Sequence, residues 1–106
     1  MGLLDFLKGP DINQGIEQYK STEGAVLLDV RSPEEFAQGR VPGSKNIPVS
    51  EIRRVEAEIL DKNATIFSYC YSGARSKQAV AALKHMGYNN VVNIGGISSY
   101  KGKIER

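Results

Sequence analysis

The sequence predicts an α/β domain in which a parallel sheet is covered by helices on both faces. Three observations lead there. Apolar runs of strand length alternate with stretches of helical periodicity along the chain. The run Ala25-Val26-Leu27-Leu28 is continuously apolar where a one-sided strand would alternate, as in strands covered on both faces. The connections are short, without repeats or low-complexity segments. At 106 residues the chain makes one domain, large enough to bury a core without metal or disulfide staples. We place a short N-terminal extension at residues 1–9 and the domain at 10–106.

Taken in order, Leu3, Leu4, Phe6 and Leu7 can form one apolar helical face on a lightly docked end. Gly9-Pro10 breaks the chain, and Asp11 caps a helix from Ile12 to about Lys20, weakened by Gly15. The first strand runs from Ala25 to Val30. Ser32-Pro33-Glu34-Glu35 starts a short helix, with Ser32 as cap, Pro33 in the first helical position and Glu35 completing a capping box. That helix stops at Gly39. Val41-Pro42-Gly43 turns the chain into a brief extended segment at Asn46-Ile47-Pro48. Ser50 caps a helix expected over Glu51 to Leu60, with Ile52, Val55, Ile59 and Leu60 as its apolar stripe. Thr65 to Tyr69 is a second clear strand. Ala79, Val80, Ala82, Leu83 and Met86 give a helix over Ser76 to Met86 its apolar face, and Gly87 ends it. Val91 to Ile94 is a third strand, and Gly95-Gly96 opens a last short helix from Ile97 to about Lys101.

Composition excludes several classes. A net charge of +2 with interspersed signs leaves no basic nucleic-acid footprint. One cysteine forms no internal disulfide, and one cysteine with one histidine makes no zinc site. His85, late on a helix, suits the helix C-terminus. No apolar run reaches the length of a membrane span, no signal peptide opens the chain, and Phe6 stands where an N-myristoylation signal wants Ser or Thr. A cytoplasmic monomer without a zinc site is the expectation.

The chemistry gathers at Tyr69-Cys70-Tyr71-Ser72-Gly73-Ala74-Arg75-Ser76. In open parallel sheets the active site lies beyond the carboxyl ends of the strands. The end of the first strand, the Cys70 loop and Gly95-Gly96 all reach that edge. A thiol attacks as thiolate. Backbone N–H groups of residues 71–76, the positive end of the following helix and the Arg75 guanidinium can together hold a sulfur anion. Gly73 permits the positive φ of a tight cradle. Sulfur and substrate anion share these donors. The functional set is therefore Cys70 as nucleophile, with Tyr71, Ser72, Gly73, Ala74, Arg75 and Ser76 around the substrate. Tyr71 either flanks the mouth or packs sideways.

These motifs resemble a single-domain rhodanese, a sulfurtransferase module, along nearly the whole chain. Leu27-Leu28-Asp29-Val30-Arg31 with Pro33-Glu34-Glu35-Phe36 is similar to that family's first strand and following helix. Gly39 to Pro48 is similar to its second signature, Cys70 to Ser76 to its active-site loop, and Gly95-Gly96-Ile97 with Tyr100 to its closing motif. The resemblance implies a three-layer sandwich around a five-stranded, mostly parallel sheet, with a fifth strand near Pro10 to Asn13. It implies a persulfide on Cys70, loaded from a small anionic sulfur donor such as thiosulfate and discharged to cyanide, a thiol or a protein thiol. It implies no cofactor, and a role for Asp29 in supporting the loop. Arg40 replaces the family's usual His and is read as structural; Tyr100 stands where Trp is common. Residues 71–74 are uncharged, where the two-domain thiosulfate enzymes carry cations; those enzymes also carry an Arg near the position of Glu35. Both departures count against thiosulfate and towards a protein persulfide or polysulfide as donor.

Two rivals remain at the level of sequence. Cys-based phosphatases and arsenate reductases also use Cys and Arg around an oxyanion, but with five intervening residues; Cys70 and Arg75 have four, a cup better sized for sulfur. A persulfide carrier or binding module without turnover of its own would use the same loop.

Overall fold

A computed structural model describes residues 9–106. The apolar face expected over Leu3 to Leu7 lies outside the described residues. Four strands form one parallel sheet: β1 (Val26–Asp29), β2 (Lys45–Asn46), β3 (Thr65–Cys70) and β4 (Asn90–Gly96), in the order β2-β1-β3-β4. The chain leaves β1 to one side for β2 and returns on its other side for β3. The crevice between the carboxyl ends of β1 and β3 is therefore the sheet's switch point.

Side chains alternate between two cores. Leu28, Val30, Ile66 and Cys70 face one side, where they meet Val55, Ile59, Ala79, Val80 and Leu83. Leu27, Phe67 and Tyr69 face the other, where they meet Ile12, Ile16, Val41 and Ile94. This is the three-layer arrangement, with α1 (Ile12–Lys20) on one face and α4 (Ala74–His85) on the other.

The expected fifth strand near Pro10 to Asn13 is not formed, and the sheet has four strands among the described residues. The Asp11 carboxylate accepts from the Asn13 N–H at 3.0 Å, so the segment caps α1 and its backbone turns into a helix. Gly15 has a positive role in α1. A Cβ there would overlap Ile94 on β4, so its small size sets how closely α1 packs on the sheet.

α2 (Pro33–Gln38) has the expected capping box and ends at Gly39. The helix expected over Glu51 to Leu60 is instead a 3-10 turn, Val49–Arg54, followed by one α turn, α3 (Val55–Glu58). Pro48 starts it two residues early and Glu51 leaves helical geometry, so Ser50 sits inside the turn and makes no cap. The phase shift removes Leu60 from the apolar stripe and leaves it 81% exposed. α4 begins at Ala74, two residues before the expected Ser76, and β4 is longer than Val91 to Ile94. The last helix is a 3-10 turn, Ile97–Ser99. His85 is exposed in the last turn of α4. Among the described residues no helix is long and apolar enough to cross a membrane.

Two polar clusters set the ends of the strands. Arg40 is bonded to Glu105 at 3.1 Å and lies over the Phe36 ring, tying the chain's last residues to the connection after α2. Tyr69 accepts from the Val41 N–H at 3.2 Å and donates to the Ser44 hydroxyl at 3.1 Å, which pins the turn at residues 41–44 beneath the sheet edge.

Candidate active site

Cys70 is the last residue of β3 and is 1% exposed. It pairs with Gly96 across the sheet, and this neighbour must be glycine because a Cβ would overlap the Tyr71 carbonyl oxygen. The chain then turns through Tyr71, Ser72 and Gly73. Gly73 takes φ +105°, a left-handed conformation that glycine adopts without a Cβ clash. That conformation points its N–H at the Cys70 Sγ, at 3.0 Å. α4 starts at the next residue, and no side chain caps it. The first-turn N–H groups of a helix have no intrahelical acceptor, so α4 ends in free donors and a positive dipole beside the sulfur.

The site residues read from sequence divide into three groups. Cys70, Gly73 and the backbone leading into α4 are brought together as expected. Tyr71, Ser72 and Ala74 are exposed at the mouth. Tyr71 flanks that mouth: it is 55% exposed and lines a shallow depression of about 230 Å³ with Arg31, Glu35, Gln38 and Gly39, while its carbonyl accepts from Ser98 N–H at 3.0 Å. Ser76 points inward, fully buried, and its hydroxyl donates to Ser68 at 2.8 Å. Only the Ser76 main chain is left to serve a ligand.

Arg75 is about a third exposed and engaged. Its Nη1 and Nη2 donate to Oε1 and Oε2 of Glu35 at 2.7 and 3.0 Å. The same carboxylate accepts from the Ser32 N–H at 3.1 Å in the capping box of α2. The Arg75 hydrogen bond, joined by those from Ser32, holds the Glu35 carboxyl down at about 2. A second shallow depression, about 190 Å³, is lined by Arg75 together with Val30, Pro33, Pro48 and Val49.

Asp29 lies behind the cup, fully buried, and makes no bond to the loop itself. It receives three donors of Arg31: the backbone N–H at 2.9 Å, Nε at 3.0 Å and Nη2 at 2.7 Å. Nη2 also donates to the Gly39 carbonyl at 2.7 Å. Asn46 donates to the carbonyls of both Asp29 and Arg31, at 3.0 Å each. The pair thus buckles the end of β1 to the ends of α2 and β2.

Sequence reasoning missed three residues of this arrangement. Arg31 could have been found from its spacing to Asp29, since a carboxylate at the end of a buried strand requires a partner. Glu35 reads from the sequence as a cap and not as the partner of Arg75. Asn93, whose carboxamide oxygen accepts from Gly95 N–H at 3.0 Å and whose amide reaches the Gly73 carbonyl at 3.4 Å, gave no sequence signal.

The arrangement can hold a sulfur anion by main-chain donors at the carboxyl edge of a parallel sheet. A family model described as a rhodanese-like domain matches residues 12–103. The thiosulfate sulfurtransferase PspE of Escherichia coli is 44% identical over 71 residues, which cover 66% of this chain and 68% of that protein. A putative sulfur carrier protein of Bacillus subtilis, YrkF, is 34% identical over 84% of this chain but only 48% of its own length. Among solved structures, one described as rhodanese with anions from E. coli superposes with a TM-score of 0.72 at 37% identity, covering 77% of this chain and 98% of that one.

Proposed function

The chain belongs to the rhodanese-like domain family, and from that premise we propose that it is a sulfurtransferase working through a persulfide on Cys70. The Cys70 thiolate attacks the outer, sulfane sulfur of a donor. A new S–S bond forms on Sγ, the donor's own S–S bond breaks, and the electron pair leaves with sulfite or a thiolate. An acceptor nucleophile, cyanide or a thiol, then attacks the outer sulfur and returns Cys70 as thiolate. The observation that carries this reading is the 3.0 Å contact from Gly73 N–H to Sγ at the uncapped start of α4. Those donors serve a thiolate and, one bond further out, the terminal sulfur of a persulfide.

The residues around the cup take distinct parts. Gly73, Ala74, Arg75 and Ser76 present main-chain donors, Tyr71 and Ser72 form the mouth, and Asp29 acts through Arg31 to fix the β1 end of the crevice. Four residues between Cys70 and Arg75, and an Arg75 already engaged by Glu35, favour sulfur over a tetrahedral phosphate. The relative named as a sulfur carrier supports a second form of the same chemistry, a relay that loads Cys70 but discharges only to a partner protein.

The test is direct. Incubation with a sulfane donor should add about 32 Da, one sulfur atom, to Cys70. Cyanide should then release thiocyanate and restore the original mass, and Cys70→Ser should do neither. Loading without thiocyanate release would favour the relay. If neither thiosulfate nor a hydrodisulfide loads Cys70, the sulfur-transfer reading is wrong.

A further inference from the structure

Two guanidinium groups stand at the crevice, and both are matched by carboxylates. Arg31 is held by the buried Asp29. Arg75 is held in a two-pronged bond by Glu35, which lies at the surface of the mouth beside Tyr71. Glu35 is fixed independently of Arg75: its Oε1 takes the Ser32 N–H at 3.1 Å and the Ser32 hydroxyl at 3.0 Å. The carboxylate is therefore held at the mouth by the start of α2, and Arg75 comes to it. Arg75 is the second residue of α4, the helix whose uncapped start stands beside the Cys70 Sγ. Its affinity for its proton is raised first by the Glu35 bond. Glu35 and an anion at Cys70 thus compete for one guanidinium.

We propose that Glu35 is a specificity-determining residue: by covering the fork of Arg75 it withholds a cation from dianionic sulfur donors, leaving a backbone-lined cup that favours hydrodisulfides of lower charge. This rests on the sulfur-transfer reading above. The two half-reactions differ in charge. With thiosulfate, a thiolate and a dianion become a persulfide anion and sulfite, three negative charges throughout. With a hydrodisulfide R–S–SH, the thiolate takes the outer sulfur and R–S⁻ leaves, one negative charge throughout. Backbone N–H groups carry partial charges and suit the second case. The first needs a full positive charge near the leaving sulfite, and here that charge is already neutralised.

Glu35→Gln isolates the effect, because Gln keeps an oxygen for the Ser32 N–H and serves a capping box equally well. The experiment measures single-turnover loading of Cys70 by intact mass at low ionic strength. The donors are thiosulfate and the hydrodisulfide of N-acetylcysteine methyl ester, which has no other charge. In Glu35→Gln the thiosulfate-to-hydrodisulfide loading ratio should rise about tenfold, the scale of one charge-assisted hydrogen bond released to the substrate. Adding Arg75→Met to that variant should return the ratio to the wild-type value. Arg75→Gln alone, which bares the Glu35 carboxylate, should lower the ratio and provides a second reading if Glu35→Gln does not fold. A ratio unmoved in these variants, with both donors still loading Cys70, overturns the role of Glu35 while leaving sulfur transfer intact. Failure of both donors in the wild type removes the premise as well.

Discussion

Removing the Asp29 carboxylate should be the most damaging single change to the fold outside the apolar core. Asp29 is fully buried and the Arg31 side chain is 6% exposed, so Asp29→Ala leaves a guanidinium in the protein interior with nothing to neutralise it. The Arg31 N–H and Nε lose their acceptor at once, and Nη2 loses one of its two. Breaking a buried pair from one side costs about 3–5 kcal/mol, most of it the desolvated charge left behind. For a domain of this size that lowers Tm by more than ~10 °C. The Gly39 carbonyl still accepts from Nη2, which holds the cost to the lower half of the range. Urea unfolding at pH 7 gives the value. The companion variant Asp29→Leu with Arg31→Met removes both charges, and should recover most of the loss. A loss below about 1 kcal/mol in Asp29→Ala would refute the reasoning, since the guanidinium would then be finding water at no cost. A double variant no more stable than the single one would show that the lost contacts are packing and not charge.

Three further outcomes follow from the same geometry. Gly73→Ala should destabilise the protein by about 1–2 kcal/mol, the cost of a Cβ in the left-handed region, and should slow Cys70 loading at saturating donor because the N–H at Sγ moves with the strained backbone; thermal melts and intact-mass kinetics read the two effects separately. Gly15→Ala should lower stability by about 1–3 kcal/mol in urea unfolding despite the better helix propensity of alanine, because its methyl overlaps Ile94; an increase in stability would mean that α1 rides clear of β4. The Glu35–Arg75 pair should stabilise the protein at neutral pH and fade in acid. Glu35 is held at about 2 against an ordinary 4.5, so its contribution is present above pH 4.5 and is lost as pH falls from there through 2. Both partners are about a third exposed, which keeps the effect below ~1 kcal/mol, and the stability gap between wild type and Arg75→Met should narrow between pH 5 and pH 3.

Much of this molecule was legible in the chain, and the limits have physical causes. The capping box at Ser32 and Glu35, the continuous run at Leu27-Leu28 and the Cys70–Gly73 spacing are local signals, each complete within a few residues, and each is formed as read. The segment from Val49 to Leu60 is different. Its apolar residues fit one helical stripe only if a single helix runs through, and Pro48 with the kink at Glu51 breaks that phase. The expected fifth strand came from resemblance, and the Asp11 cap overrides it locally. Gly15 reads as a defect in a helix until Ile94, from a distant strand, is brought against it. Ser76 falls within the loop motif, yet its helical position aims it at Ser68 beneath. What sequence could not give, in each case, is which surface a residue meets from far along the chain.

Glu35 ties the two sides of the mouth and withholds the Arg75 cation through one and the same bond, so these two effects cannot be varied independently. It caps α2 through Ser32 and joins that helix to the first turn of α4 through Arg75, bridging the crevice between β1 and β3. A protein that widened its donor range by freeing Arg75 would lose this tie across the mouth. One that kept the tie gives up the cation. The alternative is to keep both and place a new cation within residues 71–74, where Tyr71, Ser72 and Ala74 are exposed and bear no structural load through their side chains. A lysine at Ser72 would test this: Ser72→Lys should raise thiosulfate loading relative to hydrodisulfide without lowering Tm. An unchanged donor ratio would locate the obstacle to dianions in the shape of the cup and not in its charge.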